Sequence, residues 1–215
     1  MLYVCLSADG VDNAMQQLGN NKCAELRVDL VKPTTDQIIS LLSDESRHYI
    51  VTCRPGVYEP DADISILETA ALNGADYIDL ELERAPEYAI KLRRACLLSK
   101  KCRLIISYHN YETTPDAGIL KGIIKYCKEL GADIVKLACK SNSVSDNARI
   151  LGLYGEYNDI VAFCMGETGK ITRAASIMMG APFTYVAADN GQPTAPGQLT
   201  INQVKRILDA MDFEK

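Results

Sequence analysis

The chain has 215 residues and a mass of 23.6 kDa, enough for one large domain that buries roughly 70% of its unfolded surface without disulfide or metal staples. With 47% hydrophobic and 24% charged residues it is ordinary globular material, which excludes wholesale disorder. A formal charge of −5 offers no basic excess to displace counterions from nucleic acid, and no apolar run nears the roughly 20 residues of a membrane span, so neither partner is expected. The 8 cysteines (Cys5, Cys23, Cys53, Cys96, Cys102, Cys127, Cys139 and Cys164) show no CxxC spacing, and there are only 2 histidines, so no zinc cluster is expected. Several of these thiols fall in apolar runs, where a reduced thiol packs as a small hydrophobe, which points to a cytoplasmic setting. The first seven residues, Met1 to Ser7, carry no basic region, so they are not read as a signal peptide.

In chain order, strands are expected over 2–7, 24–30, 49–54, 75–82, 102–108, 132–138, 159–165 and 183–188. Helical periodicity fills the gaps, for example Asp63 to Asn73, Ala85 to Ser99, Pro115 to Leu130 and Thr200 to Met211. Pro33-Thr34-Thr35-Asp36 and Thr114-Pro115-Asp116 read as helix starts, and Gly74, Gly131 and Gly180 as helix stops. Eight alternating strand–helix units imply a parallel sheet covered by helices. The leading fold is therefore an α/β protein with a single (β/α)8 TIM barrel over residues 1–215, ahead of an open doubly wound sheet.

The charges on these strands carry the functional signal. Successive strand residues point to opposite faces. In Glu25-Leu26-Arg27-Val28-Asp29-Leu30 and Tyr77-Ile78-Asp79-Leu80-Glu81-Leu82 the charged residues share one face and the apolar residues the other. Helices cover the apolar face, so Glu25, Arg27, Asp29, Asp79 and Glu81 point into the barrel. The same alternation turns Thr52 and Arg54 inward, Ser107 and His109 inward, and Lys136 inward from an otherwise apolar strand. A burial of this kind costs several kcal/mol per ion unless charges pair, and the inward set is nearly balanced. Residues near the C-terminal strand ends (Arg54, Glu81, His109 and Lys136) are expected at the active face, with Glu25, Arg27 and Asp79 as an ionic floor beneath them.

Lys136 has two readings. Desolvated and beside Arg27 or Arg54, it is an amine nucleophile whose partner is a carbonyl; paired with Asp79 or Glu81, it is charged and inert. His109 ends the neighbouring strand, placed for proton transfer beside an imine, or is a hydrogen-bonded core residue. His48 falls in a turn and is read as a surface residue. The segment Cys164 to Ile171 fails the phosphate-loop pattern, because Cys164 stands where its first glycine belongs and Ile171 where Ser or Thr belongs, and is read as a turn. Arg173, near the next helix start, suits an anion. The stretch Asp189 to Gln198 is either an active-site lid or a connecting loop.

Taken together, Glu25-Leu26-Arg27-Val28-Asp29, Thr52-Cys53-Arg54, Asp79-Leu80-Glu81-Leu82, Ser107-Tyr108-His109-Asn110-Tyr111, Thr114-Pro115, Val135-Lys136-Leu137-Ala138, Met165 to Arg173 and Ala195-Pro196-Gly197-Gln198 resemble the motifs of type I 3-dehydroquinate dehydratases, in order and across nearly the whole chain. The resemblance implies a (β/α)8 barrel, a homodimer, no metal or organic cofactor, and dehydration of 3-dehydroquinate to 3-dehydroshikimate in the shikimate pathway. It implies Lys136 as the Schiff-base lysine and His109 as general acid and base. Glu25 and Arg54 fall on residues that bind ring hydroxyls. Arg27, Asp29, Asp79 and Glu81 fall on the supporting polar network, with Arg27 also counted among the substrate contacts. Met165 falls on a pocket wall, Arg173 and Gln198 on carboxylate and lid contacts, Thr194 on a lid serine, and Glu59 on a loop glutamate. Asn110 replaces a frequent Asp, and Thr172 a usual Ser. The rival readings are a class I Schiff-base aldolase acting on a sugar phosphate and a non-catalytic metabolite-binding barrel.

Overall fold

The computed structural model describes residues 1–59 and 61–212; the ends of the expected 1–215 domain, at 213–215, and residue 60 lie outside the described residues. The first half runs β1 (Leu2–Leu6), α1 (Val11–Leu18), β2 (Cys23–Arg27), α2 (Val28–Val31), α3 (Thr35–Leu42), β3 (His48–Thr52), α4 (Ala62–Leu72), β4 (Tyr77–Glu81) and α5 (Ala85–Ser99). The second half runs β5 (Arg103–Asn110), α6 (Ala117–Glu129), β6 (Ile134–Lys140), α7 (Val144–Gly152), β7 (Ile160–Met165), α8 (Lys170–Met178), β8 (Thr184–Ala187) and α9 (Ile201–Ala210). Of the two expected helix starts, one has a side-chain cap. Thr34 and Gln37 form a reciprocal capping box on α3, and Thr200 and Gln203 do the same on α9. Asp116 precedes α6 but makes no side-chain cap. Gly74, Gly131 and Gly180 all have positive φ, which lets the chain leave a helix and turn straight into the next strand.

The strands form one parallel sheet in the order β7-β6-β5-β4-β3-β2-β1-β8. Seven ladders link neighbours, but among the described residues no ladder joins β7 to β8, so the barrel is nearly closed rather than fully laced. The alternation expected from the sequence holds: Leu26, Val51, Ile78, Leu80, Ile106, Val135 and Leu137 pack outward against the helices. A second cluster fills the interior.

Two expectations need correction here. The strand read over 24–30 stops at Arg27, and Asp29 lies on the short helix α2. Its two-residue spacing from Arg27 is explained by a local fork, with Arg27 Nε donating to Asp29 Oδ1 (3.0 Å) and Nη2 to Oδ2 (2.6 Å). The barrel floor is also not ionic. Tyr3, Tyr77 and Phe183 meet there with ring centroids 5.0–6.3 Å apart, together with Ile50, Ile105, Ile134 and Val161. Rings fill the tapered base without the desolvation cost that ions would carry.

Candidate active site

β6 supplies the central group. Its residues from Ile134 to Cys139 are buried, because the strand is covered on both faces, and Lys136 is the one charged side chain among them. Lys136 is 4% exposed. Its Nζ donates to Asp79 Oδ2 at 2.8 Å, lies 3.8 Å from Glu25 Oε1, and sits 4.1 Å from the centre of the Tyr185 ring. The register pairs Lys136 with Ser107 on β5 and His109 with Ala138, so His109 stands one inward step nearer the mouth. Asp79 comes from β4, where the register aligns it with Ile105, one inward step before Ser107. Burial would raise its carboxyl, but Lys136 and then Arg54 outweigh burial and hold it well below the usual carboxylate range. Thr52 donates to Glu25 Oε1 at 2.9 Å, which fixes that carboxylate beside the lysine.

His109 is held neutral. Burial, followed by the charges of Arg54 and Lys136, pushes its imidazole well below the ordinary histidine value. Geometry agrees: Arg54 Nη2 donates to His109 Nε2 at 2.9 Å, and a guanidinium can only donate, so that nitrogen must be unprotonated. Arg54 is itself paired with Glu81, whose carboxylate lies 3.8 Å from His109 Nδ1. Of the expected quartet, Glu81 and His109 stand at the C-terminal ends of β4 and β5 and Arg54 just beyond the end of β3, whereas Lys136 lies deeper, third of the seven residues of β6.

Arg173 is the group with unanswered donors. It sits on the second turn of α8, is 1% exposed, and lies 4.3 Å above the Phe163 ring. Its Nε and Nη2 have no hydrogen-bond partner. Burial pushes it down to about 10, which still leaves it charged at neutral pH. A buried cation with open donors beside a cavity has the chemistry to receive an anionic group.

The segment after β8 folds over the same mouth. Gln198 Oε1 accepts from the Thr194 backbone N–H (2.7 Å) and hydroxyl (3.1 Å), and Gln198 Nε2 lies 3.1 Å from Cys5 Sγ. The Gly166 N–H donates to the Pro196 carbonyl at 3.0 Å, tying this segment to the turn after β7. Gly197 has φ +71°, and a Cβ there would fall 2.3 Å from the Gly166 carbonyl oxygen. Gly169 is similarly pressed: its Cβ would fall 2.7 Å from the Met165 carbonyl oxygen. Thr172 braces the turn, donating to the Gly169 carbonyl and accepting from the Cys164 N–H, each at 2.7 Å. Asn110 also has a turn role, accepting from the backbone N–H groups of Glu112 and Thr113.

Glu25, Arg27, Arg54, His109, Lys136, Met165, Arg173, Thr194 and Gln198 line one cavity of about 160 Å³. Asp79 and Glu81 support it through Lys136 and Arg54, and Asp29 through Arg27. Glu59 does not join them. It is exposed, on the turn before α4, where its carbonyl accepts from Ala62 N–H. His48 is exposed and faces Asp76. Sequence reasoning missed Cys5, Phe163 and Tyr185, which complete the walls. The alternation used for the other strands, applied to Thr184-Tyr185-Val186-Ala187, would have turned Tyr185 inward.

A family model described as type I 3-dehydroquinase matches residues 3–214. The 3-dehydroquinate dehydratase of Desulfotalea psychrophila (strain LSv54 / DSM 12343) is 36% identical over 197 residues, spanning 86% of this chain and 84% of that protein. That of Pyrococcus abyssi (strain GE5 / Orsay) is 33% identical over 219 residues, spanning 97% of each. Among solved structures, the 3-dehydroquinate dehydratase from Aquifex aeolicus VF5 superimposes with a TM-score of 0.82 at 26% identity, covering 98% of both chains.

Proposed function

Because the chain belongs to the type I 3-dehydroquinase family, a family of hydro-lyases, we propose that it dehydrates 3-dehydroquinate to 3-dehydroshikimate through an imine on Lys136. The observation that carries this reading is one cavity holding a buried lysine, a neutral imidazole on the adjacent strand, and a guanidinium with two unpartnered nitrogens.

The roles rest on the family resemblance, and the shared cavity supports them. Arg173 receives the substrate carboxylate, and the Glu25 and Arg54 side chains receive ring hydroxyls. His109 takes a proton from the Lys136 ammonium, the amine adds to the ketone, and that proton passes on to the carbinolamine hydroxyl. Loss of water leaves a protonated imine, which draws electrons from the neighbouring carbon and acidifies its C–H. His109 removes that proton and an enamine forms. The enamine expels the β-hydroxyl, and His109 returns the proton to the departing oxygen, so a water leaves. A second water hydrolyses the conjugated imine, regenerating the amine and releasing the enone. Net, one water leaves the substrate. Gln198, Thr194 and Met165 close the cavity over the ring and exclude bulk solvent.

The test is chemical. Borohydride with 3-dehydroquinate is expected to leave a reduced adduct on Lys136; an adduct elsewhere, or none, overturns the imine. Growth of enone absorbance on adding 3-dehydroquinate, undiminished by chelator, tests the reaction itself. We also infer a homodimer, carried by the family resemblance and tested by sedimentation, in which a monomer at working concentration is the overturning result. A cytoplasmic setting is supported by eight unpaired cysteines, seven of them buried, as a reducing compartment allows.

A further inference from the structure

We propose that the face of the Tyr185 ring is part of the catalytic apparatus: it holds the cationic nitrogen of Lys136, first as ammonium and then as protonated imine. This rests on the imine route proposed above. The nitrogen lies 4.1 Å from the ring centroid, within the range where an aromatic face attracts a cation. The ring cannot swing aside, because Phe163 and Phe183 set edges against it at centroid distances of 6.3 and 5.7 Å. It is 3% exposed, so water does not dilute the attraction.

The other groups around this nitrogen show why a ring is needed. From β4, Asp79 takes a hydrogen bond at 2.8 Å; from β2, Glu25 lies at 3.8 Å. From β5, His109 is neutral, and beyond it Arg54 is tied to Glu81; from α8, Arg173 lines the same cavity. An ammonium has three N–H donors for the two carboxylates. A protonated imine keeps one. Hydrogen bonding to the carboxylates therefore shrinks at the moment the charge must be held to draw electrons from the substrate. A ring face needs no hydrogen to interact with a cation, so its attraction persists through the change.

The hydroxyl is not the active part. It is buried with no hydrogen-bond partner. Burial, then the nearby charges of Asp79 and Glu25, push it well above the ordinary tyrosine value, so the ring stays neutral.

The experiment measures imine trapped by borohydride under saturating 3-dehydroquinate, together with kcat and KM, across a series at position 185. Tyr185→Leu is expected to lower trapped imine and kcat about tenfold, a typical worth for a desolvated cation–ring contact, with KM moving much less. Tyr185→Phe is expected to recover most of that loss and to melt no lower than the parent. Phenylalanine carrying one and then five ring fluorines at this position keeps the shape but drains the face of electron density, so trapping should fall stepwise. If Tyr185→Phe loses as much as Tyr185→Leu, the hydroxyl acts and the proposal is overturned. If pentafluorophenylalanine matches phenylalanine, only packing matters and it is overturned again. Failure of the parent protein to trap any adduct on Lys136 refutes the imine route instead, which keeps the two failures apart.

Discussion

The same eight strands build two different interiors a few residues apart. At the floor, Tyr3, Tyr77 and Phe183 interlock edge to face and bring no ion. One or two inward positions further along, the strands present Glu25, Asp79, Lys136, Arg54, Glu81 and His109. The floor is satisfied by shape; the mouth is satisfied by charge pairing that is nearly complete, and Arg173 marks where it is not. The lesson is that a parallel barrel divides labour along the strand axis. Ring packing at one end supplies rigidity, and the other end can then carry ions whose burial that rigidity sustains.

Substitutions can sharpen or break this division. Lys136→Ala is expected to abolish turnover and adduct formation; it also leaves Asp79 buried without its cation, at a stability cost of about 3–5 kcal/mol. Retained activity, measured by enone absorbance, would contradict the role. His109→Ala should lower kcat by about 10²–10⁴ while borohydride still traps an adduct on Lys136; loss of the adduct would instead make His109 a structural support. Phe183→Ala should cost about 3–5 kcal/mol in denaturant unfolding, with KM of the folded fraction little changed. A floor substitution that changed KM while sparing stability would break the comparison. Arg173→Gln should raise KM roughly 10- to 100-fold, the worth of a charged hydrogen-bonding pair, and affect kcat less.

The smallest effect is in pH. His109 is pushed well below its ordinary value, so below about 6.5 the unfolded chain takes up a proton that the folded chain refuses. Stability is therefore expected to fall as pH drops below about 6.5, and the fall should be shallower in His109→Gln. Asp79 acts in the same direction at lower pH. It is held below the usual carboxylate range, so its contribution is present above about 3.9 and is lost as pH falls further. Equal acid sensitivity of the parent and His109→Gln would show that this histidine is not the group responsible.

Much of the fold was readable because buried parallel strands alternate two apolar faces, and an ion on one of them stands out. That is how Asp79, Arg54, His109 and Lys136 were found, and helix α5 was read with its observed limits. The alternation misled at Asp29, because an Arg–x–Asp fork on a turn has the same spacing as a strand face. Phe163 and Tyr185 escaped notice because an inward aromatic residue on a barrel wall looks in sequence like any core residue. Glu59 sits in a loop, where no periodicity constrains the direction of a side chain. The unpaired donors of Arg173 depend on what distant parts of the chain fail to place beside it, which no local pattern encodes.

Two residues with no side chain close the catalytic mouth. Gly197 and Gly169 each bring backbone to within a distance that even a methyl group would violate. Elsewhere in the cavity a changed residue can be answered by a changed neighbour, since side chains move. Here the obstruction is the main chain itself, which has nowhere to retreat. The positions with least freedom to drift under mutation are thus the ones that contribute no chemistry of their own.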